Sequence, residues 1–200
     1  MLLEVRDICF AYQKEQTILN NVDFSVGAGE RVALIGPSGC GKSTLSQILA
    51  GYLKPDSGEV LFKDHPLPEE GYCPVQLIYQ HPEKAINPRW KLGRTLNEAW
   101  TPDDEFLIEM GIEKSWLHRY PTELSGGEMQ RFCIARALCP KTEFVIADEM
   151  STMLDVITQA QIWELMLNII EKRNLGLLVV THSPELADQI CTRVVKFESL

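Results

Sequence analysis

Apolar and polar positions alternate along the first part of the chain. Residues 2–12 and 17–26 read as two strands, joined by the polar turn KEQ at 14–16. Arg31–Ile35 holds the unbroken apolar run VALI, the pattern of a strand covered on both faces. It leads into a glycine-rich loop and a helix over 42–50, which Gly51 stops. PDSGE at 55–59 reads as a turn before a strand at 60–62, and a further strand follows at 75–79. From 81 to 120 the pattern breaks into prolines, tryptophans and short helical pieces such as 104–110, which predicts a small helical insert. A helix is expected over 125–138, then a buried strand at 144–147 ending in Asp148 and Glu149. Residues 156–172 place Ile162, Leu165, Met166, Ile169 and Ile170 on one helical face. A strand at 177–181, a helix over Pro184–Ile190 and a last strand at 193–197 complete the chain. Strands alternating with helices predict an α/β fold with a parallel sheet.

Composition narrows the class. Two hundred residues suit one domain with a substantial core, and 45% apolar with 24% charged residues is ordinary for a globular chain. The longest apolar run, near 177–180, falls far short of the roughly 20 residues a membrane-spanning helix needs. The opening MLLEVRDICF carries Glu4, Arg6 and Asp7 and no small-residue cleavage site, so no signal peptide is expected. A net charge of −9 argues against nucleic acid as the main partner, because counterion release needs a basic face. The six cysteines form no C-x-x-C pair and the four histidines no metal-ligand spacing, so reduced core thiols are expected.

The candidate chemistry concentrates in a few stretches. GPSGCGKST (Gly36, Pro37, Ser38, Gly39, Cys40, Gly41, Lys42, Ser43, Thr44) fits G-x-x-x-x-G-K-[ST] between a strand and a helix. Its glycines let backbone N–H groups approach phosphate oxygens. Lys42 can reach β- and γ-phosphates, Ser43 can offer its hydroxyl to Mg2+, and Thr44 can support the α-phosphate. Cys40 is either a reachable thiol or a small residue at a variable position. FVIADE ends a buried strand in two carboxylates. Asp148 is placed to hold Mg2+ and Glu149 to orient and deprotonate a water, unless both are simply solvated acids at a strand end.

His182 follows LLVVT at the same predicted sheet edge and can hydrogen-bond a γ-phosphate and the water; a lone histidine is more often structural. Gln80 ends VQLIY and can touch Mg2+ or the water, or be a surface amide. Tyr12 can stack an adenine ring, or be an ordinary core or surface tyrosine. ELSGGEMQR puts Ser125, Gly126 and Gly127 at a helix start, a second anion cap or a plain helix cap.

The order GPSGCGKST, Gln80, LSGGEMQR, FVIADE, STMLD, His182 resembles the ATP-binding subunits of ABC transporters over nearly the whole chain. QHPEKAINPRWKLGRTLNEAW, RYPTELSGGEMQR and LDVITQAQI resemble their oligopeptide, dipeptide and nickel importer branch. The resemblance implies a P-loop NTPase core of mostly parallel sheet, an N-terminal antiparallel β subdomain and a small helical subdomain near 81–139, in one nucleotide-binding domain over 1–200. It implies ATP and Mg2+ as cofactors and Lys42, Gln80, Glu149 and His182 as catalytic residues. It also implies a head-to-tail dimer in which Ser125, Gly126, Gly127 and Glu128 bind the partner's γ-phosphate and Asp155 lies across the interface. Transmembrane permease subunits are the other expected partners, with the segment 80–100 receiving one of their helices at the cytoplasmic face of the membrane.

Peptides or nickel and other metal complexes are the cargo this branch implies. The chain departs from the family in Met150, where proline is usual and a stiffer loop would follow. Glu128 replaces the commoner glutamine, and the end after KFESL is short. Two other readings stay open. One is a soluble ABC ATPase without a transport role, against which the stretch from Gln80 to Ser125 is too short for a long coiled coil. The other is a nucleotide-binding regulatory module with little turnover.

Overall fold

The computed structural model describes residues 1–13 and 16–200, so Lys14 and Glu15 of the expected KEQ turn lie outside the described residues. Strands β1 (Leu3–Gln13) and β2 (Gln16–Val26) pair antiparallel. Strand β3 (Arg31–Ile35) runs into helix α1 (Lys42–Leu49). Strand β4 (Ser57–Phe62) pairs with β1 and with the two-residue β5 (His65–Pro66). Sequence placed Ser57–Glu59 in a turn, but here they belong to β4. Gly58 explains the difference: a Cβ there would sit 2.4 Å from Arg6 O, so its absence lets the two backbones close up.

Strand β6 (Val75–Ile78) precedes the helical insert. This contains α2 (Pro82–Ala85), α3 (Leu92–Leu96), α4 (Asp104–Glu109) and two 3-10 turns, Lys114–His118 and Pro121–Glu123. Helix α5 (Gly126–Ala137) then leads to β7 (Phe144–Asp148), α6 (Val156–Arg173), β8 (Gly176–Thr181), α7 (Pro184–Ile190) and β9 (Arg193–Lys196). Phe197, expected in the last strand, instead opens a closing 3-10 turn, Phe197–Ser199.

The strands form an antiparallel sheet of order β2-β1-β4-β5 and a parallel sheet of order β6-β7-β8-β3-β9. Both faces of the parallel sheet are covered, and the pleat sorts its side chains between two cores. Phe144, Ile146, Leu178 and Val180 pack with α1 and the antiparallel sheet. Val145, Ala147, Leu177 and Val179 pack with α5, α6 and the insert. That division is why FVIA and LLVV read as continuous apolar runs. In α6 the buried face is Ile162, Trp163, Met166, Ile169 and Ile170. Leu165, expected on that face, is only half-buried; it lies at the edge of the stripe that Trp163 fills. The parallel strands all point their carboxyl ends one way, so β3, β6, β7 and β8 deliver the segments that follow them to a single edge.

Candidate functional site

At that edge the chain leaves β3 and arches through Gly36–Gly41 into α1. Gly39 and Gly41 take φ of 80° and 116°, which side chains with a Cβ rarely adopt. Gly41 caps α1 without a side-chain bond, leaving the first N–H groups of the helix facing outward as an anion cap. Lys42 is only 5% exposed, and its Nζ donates to Gly36 O at 2.9 Å and Pro37 O at 2.8 Å. The ammonium thus sits inside the arch, 3.8 Å from Cys40 Sγ. From the far end of the chain, Phe197 packs beneath the loop: a Cβ on Gly36 or Gly41 would meet it at 3.0 Å.

Asp148 ends β7 next to this loop and is buried. Burial pushes its carboxyl above the usual carboxylate range, and the Ser43 hydroxyl pulls it partly back. Its Oδ1 has no hydrogen-bond partner among the described residues. Glu149 turns the other way because its φ is 48°, a left-handed conformation rare outside glycine, fixed by a bond from its N–H to Val180 O at 3.0 Å. Its carboxylate accepts from Gln80 Nε2 at 3.4 Å and lies 3.6 Å from His182 Nδ1. Gln80 also donates to Thr152 Oγ1 at 3.0 Å.

Tyr12 reaches across from β1, with its hydroxyl 3.3 Å from Thr44 Oγ1 and its ring exposed. Tyr12, Ser38, Gly39, Gly41, Lys42, Ser43, Thr44, Gln80 and Glu149 line one cleft of about 360 Å³.

The loop after Glu149 is held by side chains. Met150 is 2% exposed, and buried Ser151 accepts from Gln159 Nε2 at 2.8 Å and Trp163 Nε1 at 3.0 Å. With no proline at 150, burial of Met150 and these two bonds are what hold the loop against α6.

The remaining sequence-derived residues gather elsewhere. Ser125 caps α5, its Oγ accepting from Glu128 N at 3.3 Å while the Glu128 carboxylate accepts from Ser125 N at 2.7 Å. That backbone bond holds Glu128 below the usual carboxylate range. Asp155 caps α6, accepting from Thr158 Oγ1 at 2.6 Å, Thr158 N at 3.0 Å and Ile157 N at 3.1 Å, and is likewise lowered. The two helix starts converge: a Cβ on Gly127 would come within 2.6 Å of Thr158 Cγ2. Ser125, Gly126, Gly127, Glu128, Arg131, Asp155 and Thr158 line a second cleft, of about 480 Å³, that shares no residue with the first.

Sequence reasoning missed Thr152, Thr158, Arg131 and Phe197. S-x-x-E at 125–128 did advertise a capping box. Phe197 had no local signal, because it meets the phosphate loop only through the fold.

A family model described as ABC transporter matches residues 19–152. The nickel import ATP-binding protein NikE of Rhodospirillum rubrum is 34% identical, over 90% of this chain and 72% of its own length. NikE of Escherichia coli O6:K15:H31 is 31% identical, over 99% of this chain and 84% of its own. Among solved structures, the dimeric ATP-binding cassette MJ0796 in a post-hydrolysis state with ADP and Pi superposes with a TM-score of 0.81 at 25% identity, covering 97% of this chain and 93% of that one.

Proposed function

The chain belongs to the ABC transporter family, and from that premise we propose that it is the ATP-binding and ATP-hydrolysing subunit of an importer for nickel or related metal complexes, with peptides the alternative cargo. The observation that carries this reading is that the phosphate loop, Asp148, Glu149, Gln80 and His182 stand at the ends of four parallel strands, with Gln80 and His182 on either side of Glu149.

In this reading the arch of Gly36–Gly41 and the start of α1 bind the phosphates through backbone N–H groups, and Lys42 exchanges its loop carbonyls for phosphate oxygens. Tyr12 offers its exposed ring to the adenine. The orphaned Oδ1 of Asp148, buried beside Ser43, fits a cation site, and Ser43, Asp148 and Gln80 would hold Mg2+. When bound, that ion would neutralise charge on the phosphates. Glu149 accepts the proton of the attacking water, turned toward it by its left-handed backbone. Gln80 and His182 flank that carboxylate and orient the same water.

A second cassette completes the site. The relative MJ0796 is dimeric, and the two separate clefts of this chain fit a head-to-tail pair. Ser125, Gly126 and Gly127 then cap the γ-phosphate held by the partner, with Glu128 and Asp155 holding the two helix starts in place. A third cleft, of about 510 Å³, lies between the end of α1, β6 and α5, lined among others by Tyr52, Tyr79, Ala85, Cys133 and Arg136. It would receive a helix of a permease subunit, holding this chain at the cytoplasmic face of the membrane.

The test is reconstitution with the permease in vesicles, with phosphate release and uptake of radioactive nickel measured together. Hydrolysis coupled to nickel uptake is expected. Uptake of peptide instead would assign the other cargo, and absence of hydrolysis in the complex would overturn the reading.

A further inference from the structure

One side of α5 carries three donors at three-residue spacing, and each reaches a backbone carbonyl in the segment after β6. Gln130 Nε2 donates to Tyr79 O at 3.5 Å, Cys133 Sγ to Pro82 O at 3.8 Å, and Arg136 Nη2 to Ala85 O at 2.8 Å. The carbonyls are also three residues apart, so helix and segment lie side by side like the rails of a ladder. Burial pushes the Cys133 thiol up to about 12, so it stays an S–H donor at neutral pH.

The ladder joins three places of functional interest. Its first rung is the residue before Gln80, whose amide touches Glu149 at 3.4 Å. Its rail begins at Ser125, the cap of the second cleft. Its last two rungs, Cys133 and Arg136, line the third cleft, where Arg136 Nη1 also bonds Glu98 Oε2 at 3.0 Å.

The rungs differ in strength. Arg136 makes a short, charge-assisted bond. Gln130 is 1% exposed, held by one long bond, and its Oε1 has no partner among the described residues. A buried amide half-satisfied in this way calls for a reason, and a joint that must yield during a working cycle supplies one.

We propose that Gln130, Cys133 and Arg136 are positioning residues that clamp the segment after β6 to α5, so that the placement of Gln80 beside Glu149 follows the position of Ser125–Gly127 and the contents of the third cleft. The first and second clefts, which share no lining residue, are thereby linked mechanically within one chain. A contact made to the partner's nucleotide at one end of α5 is felt at this chain's own water-orienting amide. The inference rests on the reading that Gln80 and Glu149 serve hydrolysis.

The test is a double-mutant cycle on the intact chain, with kcat and KM for magnesium ATP measured where the rate per chain no longer rises with protein concentration. Arg136→Ala should lower kcat about tenfold, in the range of coupling between sites, and leave KM within about twofold. Arg136→Lys, which keeps the charge and one donor, should recover most of the loss. Gln80→Ala combined with Arg136→Ala should be no slower than Gln80→Ala alone, because the ladder acts through Gln80. A merely structural role would give losses that multiply.

Full kcat in Arg136→Ala, or multiplying losses, overturns the ladder. Full kcat in Gln80→Ala overturns the role of Gln80 itself, which separates the two failures. Should Arg136→Ala not fold, Gln130→Met, which removes the first rung with little change of volume, carries the same cycle.

Discussion

The two clefts proposed to meet the nucleotide phosphates are built in opposite ways. The phosphate-loop cleft is assembled from the segments that follow three parallel strands, β3, β6 and β7, with Tyr12 reaching in from the antiparallel sheet; Lys42 and the neighbouring Asp148 are buried, and a carboxylate oxygen of Asp148 has no partner among the described residues. The second cleft is assembled from two helix starts, and its carboxylates, Glu128 and Asp155, are already engaged in capping. The first keeps unsatisfied charge in reserve, as proton and metal chemistry require. The second has satisfied its charges locally and turns N–H groups and a hydroxyl outward, which suits recognition of an anion without reacting on it. Damage to the first should therefore show in chemistry, and damage to the second in packing and pairing.

The largest effect is expected from Glu149→Gln. The amide keeps the shape and cannot take a proton, so hydrolysis should fall by about 10²–10⁴. ATP affinity, which the proposed function assigns to the loop and Lys42, should change little. Phosphate release and an ATP titration check both halves; hydrolysis at the original rate would remove Glu149 from the role of base.

Next comes Gly127→Ala in the second cleft. The added Cβ would lie 2.6 Å from Thr158 Cγ2, and a β-branched side chain has little room to swing away. Overpacking of this kind costs about 1–3 kcal/mol, so thermal unfolding should come earlier while ATP binding by the single chain is retained. Thr158→Ser removes Cγ2, keeps the hydroxyl that bonds Asp155, and should restore the stability. A double variant no more stable than Gly127→Ala alone would mean that the contact between α5 and α6 is not what limits this position.

The comparison also explains what was legible in the sequence. Most of the first cleft could be read, because apart from Tyr12, which reaches in from β1, its segments follow strands whose apolar runs are visible locally, and parallel strands end at one edge. The second could be read as a helix start, and S-x-x-E there carries a signal for the cap that Glu128 makes, but the Asp155 carboxylate could not be assigned to capping until Thr158 was seen to hold it. Sequence misjudged elements where distant backbone decided the outcome, as at Ser57–Glu59, pulled into β4 by the close approach at Gly58. It was also silent on contacts such as Phe197 under Gly36 and Gly41, or the three rungs along α5, which join segments far apart in the chain.

A sharper form of the contrast removes one negative charge from each cleft and follows stability. In the first, Asp148→Asn replaces a buried carboxylate whose ionised form burial disfavours by a neutral group of the same shape. A gain of about 1 kcal/mol would raise the unfolding temperature of the nucleotide-free chain by about 2–4 °C. The same variant should lose hydrolysis, a direct exchange of stability for function. An unfolding temperature below that of the unaltered chain would show that the carboxylate is stabilising where it stands.

The opposite sign is expected in the second cleft, where the effect is smallest. Glu128 is held below the usual carboxylate range by the bond from Ser125 N, so its ionised form favours the folded state. That contribution is present above the unfolded-state value near 4.5 and is lost as pH falls through the lower folded-state value. Glu128→Gln should therefore destabilise the chain at neutral pH by less than about 1 kcal/mol, the scale of a helix cap at an exposed position. The two proteins should become equally stable once the pH lies below the folded-state value, because the carboxyl is then neutral in both states of the unaltered chain. A stability difference that stayed constant across that titration would trace the effect to the shape of the amide, and the contrast in sign between the two clefts would lose its electrostatic origin.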